Sequence, residues 1–363
     1  MIRIAVNSRI YNVPSSGISN YIKFLYDKLN ERHDECSVFF LQTSHRHSLG
    51  RLRVFNLPKN SFFDVLFDLL VSGLLVGKSE IDIFHGPSHI LPIIRKRGIR
   101  YVVTVHDLAF ELFPDQYPWL FRVYYRVAAR YSAKTADHVI AVSKQTKHDL
   151  VRLYNIPPKY ISVVSEAVDP SFKAKPNLEE ATKSKFFFSV STHPKRKNIL
   201  SVIDAFNASI KLKNHSFFLA GILSPRQKTT ILEKVERLGL QDRVHILGYV
   251  SDNALKKLYN QADFFIYASF YEGFGLPVLE AMTSGCPVIT SSTSSMVEFG
   301  IESRCLVDPN NVREITGAMD WLAELDGKQR QQLINTNQSL AGKYSWSISA
   351  TETLSAFAAT EAT

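Results

Sequence analysis

The sequence contains very little cysteine, with three residues in a chain of 363: Cys36, Cys286 and Cys305. They are scattered, odd in number and include no Cys-x-x-Cys pair. A disulfide framework or a structural zinc site would need cysteines in pairs or at close spacing. The cysteine content therefore excludes a small disulfide-bonded scaffold and favours a reducing compartment.

Long apolar runs are missing as well. Residues 1–6 show the pattern of a strand rather than the basic region and apolar core of a signal peptide. The most apolar run, residues 65–76, is interrupted by Asp68 and is shorter than the roughly 20 residues needed to span a bilayer. We therefore expect a buried helix at this run and a cytoplasmic protein.

Acidic residues are under-represented in one half of the chain only. The formal net charge is +9; residues 1–175 hold 24 Lys and Arg against 15 Asp and Glu, and residues 176–363 hold 19 of each. This excess indicates an anionic partner for the first half, such as a phosphorylated acceptor, an acidic lipid surface or nucleic acid. A solvated basic surface is the alternative. Because no nucleic-acid-binding module is recognisable, we expect no nucleic-acid partner.

Short β-rich runs alternate with helical patterns along the whole chain. Residues 18–29, for example, carry apolar side chains at the i, i+3, i+4, i+7 spacing of an amphipathic helix. Strands that alternate with helices predict parallel sheets covered by helices on both faces. The expected strands are residues 2–6, 38–41, 81–84, 101–105, 138–142 and 161–164, then 186–190, 217–220, 244–247, 264–268, 287–290 and 305–307.

Two domains are expected, because 363 residues exceed the usual size of a single hydrophobic core. Residues 169–185 are polar, contain prolines and lack apolar periodicity, as in an interdomain linker. We predict an α/β protein with two doubly wound Rossmann-like domains, residues 1–168 and 186–343, facing across a cleft. Residues 344–363 are expected to form a helix that packs back on the N-terminal domain.

The segment Glu272–Glu280 has the features of a ligand-binding loop at a helix start. Gly273 and Gly275 let backbone amides approach a ligand closely, and Pro277 suits the first helical turn. The free amides and positive helix end favour a diphosphate. Glu280 could accept hydrogen bonds from two ribose hydroxyls, and Glu272 could contact a sugar. A merely capping carboxylate would need none of the glycines.

The run E-G-F-G-L-P-V-L-E-A-M at 272–282, followed by S-G-C-P-V-I-T-S, strongly resembles the retaining glycosyltransferases of family 4. The likeness extends nearly end to end, from the first strand to Trp346. It implies a GT-B fold, a nucleotide diphosphate sugar as co-substrate, retention of anomeric configuration, and no required metal or other cofactor. The family's E-x7-E motif maps onto Glu272 and Glu280, and bacterial O-antigen mannosyltransferases are the expected relatives.

Further donor-binding residues are implied by the same resemblance. The family's R-K-N element, whose cations neutralise the donor diphosphate, matches Arg196, Lys197 and Asn198. The glycine-rich turn before the first helix matches Gly17, and a base-binding edge matches residues 249–250. The expected donor set is Gly17, Arg196, Lys197, Asn198, Tyr249, Val250, Gly273, Phe274, Gly275, Leu276 and Glu280.

The expected catalytic residues are His106, Asp107 and Glu272. Val105-His106-Asp107-Leu108 resembles the family's H-D element at the edge of the acceptor domain, where His106 would hydrogen-bond the transferred sugar or the attacking hydroxyl. His85 and His89 are weaker candidates. The chain contains no Asp-x-Asp cluster that would chelate a metal beside a diphosphate, so no metal site is expected.

The predicted reaction moves a hexose from a nucleotide diphosphate sugar to a hydroxyl of a saccharide or lipid-linked glycan. GDP-mannose is the first expected donor and a UDP-hexose the next. The alternatives are a non-catalytic sugar-nucleotide-binding protein and a sugar-nucleotide epimerase of the GT-B fold.

Residues 113–134 interleave aromatic with basic side chains, and four of the basic residues recur every four positions: Arg122, Arg126, Arg130 and Lys134. This pattern predicts an amphipathic helix that docks on an anionic lipid surface, which would hold the protein peripherally at the inner face of the cell membrane. The alternative is a core helix whose arginines snorkel to solvent.

Overall fold

The computed structural model describes residues 1–12, 17–42, 51–54, 61–77, 80–172, 185–192 and 195–361. The chain forms two compact units, the N-terminal unit (Met1–Asp169 with Ser345–Thr363) and the C-terminal unit (Pro170–Tyr344). Of the linker predicted at 169–185, residues 173–184 lie outside the described ranges. The chain thus enters the C-terminal unit after Asp169 and returns to the N-terminal unit at Ser345.

The N-terminal unit has a seven-stranded parallel sheet with the order β3-β2-β1-β4-β5-β6-β7. Its strands are β1 (Ile2–Asn7), β2 (Cys36–Gln42), β3 (Arg51–Val54), β4 (Ile83–Gly86), β5 (Arg100–Val105), β6 (His138–Ala141) and β7 (Ile161–Val163). Its helices are α1 (Gly17–Asn30), α2 (Ser61–Leu66), a π-helical segment (Phe67–Val71), α3 (Ser72–Leu74), α4 (Ala109–Leu112), α5 (Trp119–Thr135) and α6 (Lys144–Tyr154), with 3-10 turns at Arg9–Asn12, Pro114–Gln116 and Pro158–Tyr160.

The C-terminal unit has a six-stranded parallel sheet with the order β10-β9-β8-β11-β12-β13. Its strands are β8 (Phe186–Val190), β9 (Ser216–Ala220), β10 (Val244–Gly248), β11 (Phe264–Tyr267), β12 (Val288–Ser291) and β13 (Leu306–Val307). Its helices are α7 (Ile199–Ala208), α8 (Pro225–Arg237), α9 (Asp252–Gln261), α10 (Leu276–Thr283), α11 (Val312–Glu324) and α12 (Gly327–Ala341), with 3-10 turns at Ser294–Phe299 and Ser303–Cys305. The last helix of the chain, α13 (Trp346–Ala358), belongs to the N-terminal unit and is followed by a 3-10 turn at Ala359–Glu361.

Both faces of the N-terminal sheet are covered by helices. Successive side chains of a strand point to opposite faces of the sheet, so a single strand contributes to two buried clusters. Ile4 and Val6 of β1 join a buried cluster with residues of α1 and α13, including Trp346. Ala5 joins the opposite cluster with residues of α5 and α6, including Ala129 and Leu150. The predicted class, an α/β protein with two doubly wound Rossmann-like domains, is confirmed.

The C-terminal sheet is held by aromatic side chains in register across three strands. Phe187 of β8 pairs with Phe217 of β9 and Phe264 of β11. The ring centroids lie 4.9 Å and 4.8 Å apart in stacked geometry. Directly opposed side chains are the unit of sheet stabilisation, so this ladder fixes the register of the strands that precede the candidate site.

The apolar run at residues 65–76 begins in α2 and continues through the π-helical segment into α3. Asp68, the polar interruption of this run, is 2% exposed and is paired with Arg9. Arg9 donates to Asp68 from Nε at 3.0 Å and from Nη2 at 2.6 Å. None of the helices in the described ranges is both long and apolar enough to cross a membrane.

Two strand predictions need correction. The sequence pattern gave no strand at Arg51–Val54, where the structure has β3. It also put the third strand at residues 81–84, whereas β4 is Ile83–Gly86. His85 and Gly86 are therefore part of the sheet rather than of the loop that follows it.

Candidate functional site

Two adjacent strands of the C-terminal unit bring the predicted cations and Glu272 to one edge of the sheet. β8 leads to residues 195–198 and then α7, and β11 leads to residues 268–275 and then α10. Because β8 and β11 pair in parallel, their carboxyl ends lie at the same edge. The amide of Phe270 donates to the carbonyl oxygen of Arg196 at 2.9 Å, which ties the two loops together.

Arg196, Lys197, Tyr267 and Glu272 form a buried group that we call the Glu272 cluster. Lys197 Nζ lies 2.6 Å from Glu272 Oε1, and Arg196 Nη1 lies 3.1 Å from Glu272 Oε2. Arg196 Nη1 also donates to the carbonyl oxygen of Tyr271 at 2.7 Å. Lys197 donates to the Tyr267 hydroxyl. The two cations and the carboxylate are 7–8% exposed, so three charges are held together away from water.

The Glu272 cluster carries more positive than negative charge. Burial acts to raise the pKa of the Glu272 carboxyl, but the charges of Lys197 and Arg196 outweigh it and the pKa is lowered. Burial also holds the pKa of Tyr267 well above its ordinary value, so this hydroxyl stays neutral. Two cations and one ionised carboxylate leave an excess of positive charge. The cluster is therefore suited to bind an anion.

The start of α10 follows directly after Glu272. Its N-cap, Gly275, has φ +99°, a left-handed conformation in which a Cβ atom would meet Met296 Sδ at 3.2 Å. Within the described residues, no side chain caps this helix, and Pro277 lies in its first turn. The amide end of α10 therefore adds its partial positive charge beside the Glu272 cluster.

Two serines that the sequence pattern did not reveal, Ser294 and Ser295, form hydrogen bonds with the backbone of the loop between Glu272 and Gly275. Ser294 Oγ accepts from the Glu272 amide at 3.0 Å. Ser295 Oγ lies 3.0 Å from the carbonyl oxygen of Glu272 and 2.9 Å from that of Phe274. The Phe274 ring is buried against Phe299 and Tyr344, so its observed contacts anchor the loop.

Glu280, the second glutamate of the motif, is fixed by a buried tyrosine. Tyr259 Oη donates to Glu280 Oε2 at 3.0 Å and also lies 3.1 Å from the carbonyl oxygen of Pro277. Tyr259 is 1% exposed, and burial raises its pKa well above the ordinary value, so the hydroxyl remains a donor. One oxygen of the Glu280 carboxylate is thereby oriented by a partner that the sequence pattern did not reveal.

Four other predicted donor residues occupy different environments. Asn198 has a left-handed backbone (φ 58°), and its Nδ2 donates to the carbonyl oxygen of Pro309 at 2.6 Å. This bond anchors the start of α7. Tyr249 is 63% exposed and Val250 is half-buried, directly after β10. Leu276, the first residue of α10, is also half-buried.

The predicted residues of the N-terminal unit lie at the carboxyl edge of its own sheet. His106 follows β5; its Nδ1 lies 2.7 Å from Glu166 Oε1, and its Nε2 lies 2.8 Å from the carbonyl oxygen of Pro87. Asp107 Oδ1 accepts from the Ala109 amide at 2.9 Å, two residues on in the chain and at the start of the short helix α4.

Three more residues of the N-terminal unit were candidates. His85 is fully buried and bonded to Tyr26 and Thr104, and burial lowers its pKa to about 3. His89 is 6% exposed and has φ 69°, and its ring centroid lies 5.5 Å from that of His106. Gly17, the first residue of α1, is exposed, and residues 13–16 before it lie outside the described ranges.

Besides the two serines, Glu166 and Tyr259 are polar residues that the sequence pattern did not single out. Glu166 follows the apolar run 161–164 by two residues, close to the strand-end position that singled out His106, which directly follows its own run. That position was available as a signal. The contact of Tyr259 with Glu280 spans 21 residues and leaves no trace in local spacing. In the described part of the chain, no group of three or more His, Cys, Asp or Glu side chains is arranged to hold a metal ion.

Comparison with known protein families assigns both halves of the chain. The model described as glycosyltransferase family 4 matches residues 15–172. The model described as glycosyl transferases group 1 matches residues 171–339. The two matches meet within two residues of the boundary between the units, at Asp169 and Pro170.

Individual relatives are similar over much of this length. O-antigen chain mannosyltransferase B of Escherichia coli is 29% identical over 286 residues, covering 76% of this chain and 74% of the relative. O-antigen chain mannosyltransferase RfbU of Salmonella typhimurium is 31% identical over 238 residues, covering 65% of this chain and 64% of the relative. The crystal structure of Anabaena Alr3699/HepE in complex with UDP and glucose superimposes with a TM-score of 0.73, at 17% identity, over 99% of this chain and 100% of that one.

Proposed function

Because this chain belongs to the glycosyltransferases, with a family 4 match in its N-terminal half and a group 1 match in its C-terminal half, we propose that it transfers a hexose from a nucleotide diphosphate sugar to a hydroxyl of a glycan acceptor. The observation that carries this proposal is the Glu272 cluster. Two buried cations beside the amide end of α10 are the chemistry that a diphosphate leaving group requires.

The proposed transfer breaks the bond between the anomeric carbon and the diphosphate oxygen and forms one to the acceptor oxygen. Negative charge then grows on the diphosphate, where Arg196, Lys197 and the amides of α10 stabilise it without a metal ion or other cofactor. The acceptor proton passes to the departing diphosphate, so no side-chain base is needed. Attack from the face that the diphosphate leaves retains the anomeric configuration, as the family resemblance implies.

The two glutamates have different parts in this proposal. Glu280, oriented by Tyr259, accepts hydrogen bonds from the ribose hydroxyls of the donor. Glu272 contacts the transferred sugar, and its charge also competes with the diphosphate for Arg196 and Lys197. Tyr249 and Val250 line the position of the base.

Mannose is the proposed sugar and GDP-mannose the first proposed donor. Support comes from the names of two relatives, which are O-antigen chain mannosyltransferases. A UDP-hexose is the second candidate, because the similar Anabaena structure holds UDP and glucose. The O-antigen chains in the names of the same relatives favour a saccharide as the acceptor, and a lipid-linked glycan is the second proposed acceptor.

A thermal-shift screen of nucleoside diphosphates and their sugars tests the donor. A ligand that binds only the folded state at a 100-fold excess over its Kd stabilises the protein by about 2.7 kcal/mol, so we expect one base to stand out, with GDP ahead of UDP. Incubating the preferred sugar nucleotide with candidate acceptors then tests transfer. Binding without transfer or donor hydrolysis would indicate a non-catalytic binding protein. Interconversion of sugar nucleotides without an acceptor would indicate an epimerase.

We also propose that α5 docks the N-terminal unit on an anionic membrane surface. The residues that α5 buries are small, namely Ala128, Ala129, Ser132 and Ala133. Its large apolar residues point outward instead, with Trp119 66%, Leu120 63% and Val127 64% exposed. This is the reverse of a core helix, which buries its largest apolar side chains.

Basic side chains share the exposed surface of α5. Arg126, Arg130 and Lys134 are exposed, although Arg126 is also paired with Glu111. Because each residue advances about 100° around the helix axis, these three cations lie on the same side of α5 as Trp119 and Val127. Apolar side chains that enter the acyl boundary, flanked by cations at the level of lipid phosphates, match an interfacial helix.

Flotation with vesicles tests this proposal. We expect the protein to float with vesicles that contain phosphatidylglycerol and to stay behind with pure phosphatidylcholine. The double substitution Trp119→Ser with Leu120→Ser should reduce binding at least about tenfold, since burying each large apolar side chain contributes about 1.5–3 kcal/mol. The matched control replaces Ile222 and Leu232, which are exposed on the C-terminal unit, with serine. Absence of the wild-type protein from both kinds of vesicle would contradict membrane docking.

A further inference from the structure

Glu166 is a buried carboxylate that the proposed transfer does not yet use. It lies three residues after β7, is 5% exposed, and places Oε1 2.7 Å from His106 Nδ1. An acidic side chain is rarely buried to this extent unless it is paired. The pair joins two strand ends of the N-terminal sheet, since His106 follows β5 and β7 is separated from β5 only by β6.

Both nitrogens of the His106 ring are engaged. The carbonyl oxygen of Pro87 can only accept a hydrogen bond, so Nε2 carries a hydrogen and donates at 2.8 Å. With Nε2 protonated, Nδ1 can donate to Glu166 only if the ring is the doubly protonated imidazolium. An ionised carboxylate at 2.7 Å favours that form.

The groups packed around His106 leave Glu166 as its dominant partner. Tyr21 of α1 meets the ring edge-on at a centroid distance of 4.8 Å and is neutral, because burial raises its pKa. From α6, the Thr146 hydroxyl donates to the His106 carbonyl oxygen at 3.4 Å. Asp107 is adjacent in sequence and also favours a cation. His85 is neutral at pH 7, since burial and the charge of His106 lower its pKa to about 3.

His89, whose ring lies near that of His106, is a second buried histidine at this strand end. Its side chain is more than nine-tenths buried, and its Nδ1 has no hydrogen-bond partner among the described residues. Burial, together with the neighbouring charge of His106, lowers the pKa of His89 to about 3, so it is a neutral ring. A buried nitrogen without a protein partner is suited to hydrogen-bond a ligand group near the His106 ring.

We propose that Glu166 is a positioning residue for glycosyl transfer, which orients the His106 ring and keeps it positively charged beside the bound substrate. His106 then acts through its charge and not as a general base, because neither ring nitrogen is available to take a proton. This proposal rests on the proposed function and deepens it. Because both ring nitrogens bond to the protein, His106 acts on the sugar or the attacking hydroxyl through its charge and not through the hydrogen bond expected from the sequence.

The direction of the pH dependence follows from this pair. Burial acts to lower the pKa of His106, but the hydrogen bond and charge of Glu166 outweigh it, so the pKa lies above its ordinary value of 6.5. Transfer that needs the imidazolium is lost as pH rises through this raised pKa. In Glu166→Gln the amide cannot supply the negative charge, so the loss moves to lower pH. Each pH unit between the assay pH and the lowered pKa then costs about tenfold in rate.

The test combines ring titration with rate profiles on the full chain. We expect the His106 ring, followed by NMR with His106→Gln for assignment, to titrate above 6.5 in the wild type and at least one unit lower in Glu166→Gln. The basic limb of the kcat profile should move by the same amount. Glu166→Asp keeps the charge and should restore both values toward wild type.

The possible outcomes distinguish a failure of the role assigned to Glu166 from a failure of the proposed function. A rate that falls equally at every pH, with an unmoved ring titration, would show that Glu166 has a structural role only. A ring pKa that shifts while the rate profile stays in place would show that the charge is not used, and would overturn the proposal. Absence of transfer with every donor would refute the proposed function, whereas the ring titration would still report on the pair. Thermal melts of both variants show whether they remain folded.

Discussion

Lys197→Ala is expected to lower kcat/KM for glycosyl transfer by about 10²–10³-fold, comparable to the loss of one group that stabilises a developing anion. The substitution removes one of two buried cations and leaves Glu272 paired with Arg196 alone, so the positive excess of the Glu272 cluster disappears. Binding of the free nucleoside diphosphate should weaken in parallel. Initial rates, together with calorimetric titration of the diphosphate found in the thermal-shift screen, measure both effects.

Lys195→Ala is the matched control, because it removes the same charge two residues earlier from an exposed position. Its effect should stay within about twofold, as expected for a surface substitution. An equal loss in both variants would mean that the general positive potential of this turn, rather than the buried contact with Glu272, holds the diphosphate. Unchanged diphosphate affinity in Lys197→Ala would remove the Glu272 cluster from the donor site.

Glu272→Gln is expected to destabilise the free protein by about 3–5 kcal/mol and to tighten binding of a nucleoside diphosphate. The amide keeps the shape of the side chain, but Arg196 and Lys197 lose the charge that compensates them in the buried cluster. A diphosphate supplies negative charge again, so its stabilising effect should be larger in the variant. Melting temperatures with and without the diphosphate measure both quantities.

The destabilisation should depend on pH in a defined direction. The pKa of Glu272 is lowered by Lys197 and Arg196 against the effect of burial, so its contribution to stability is present above the ordinary value of 4.5 and is lost as pH falls through the folded-state value. The difference in the free energy of unfolding between wild type and Glu272→Gln should therefore decrease only at acidic pH. Glu236→Gln, an exposed change on α8, should leave stability and affinity unaltered. Weaker diphosphate binding in Glu272→Gln would contradict the competition between carboxylate and diphosphate.

The fold was largely readable from the sequence because every buried strand of a parallel sheet is a short apolar run. The failures lie at β3 and at the start of β4. β3 is a four-residue strand in which two arginines alternate with apolar residues, so it lacked the expected apolar run. Ile81 is buried but precedes β4, whose pairing with β5 begins at Ile83 and Arg100. Apolar character marks the residue as buried, whereas only the partner strand determines where hydrogen bonding starts.

The candidate site was readable in part for a related reason. Strand-end positions predicted that Glu272, Arg196 and Lys197 share one sheet edge. That the carboxylate lies directly between the two cations could not be predicted, because the contact joins residues 75 positions apart and depends on side-chain direction. The support from Ser294, Ser295 and Tyr259 was invisible for the same reason. Sequence spacing locates backbone positions, and the partners of a side chain follow only from the folded packing.

The return of α13 to the N-terminal unit has a consequence for how such a protein can be recombined. Trp346 and Phe357 complete the buried cluster formed with Ile4 and Val6, so residues far apart in the sequence build one core. A single exchange near Asp169 would join an N-terminal unit to a C-terminal segment that was selected to fit another core. The C-terminal unit can be exchanged intact if residues 170–344 are replaced between two breakpoints. The N-terminal unit can be exchanged intact only if α13 is transferred together with residues 1–169.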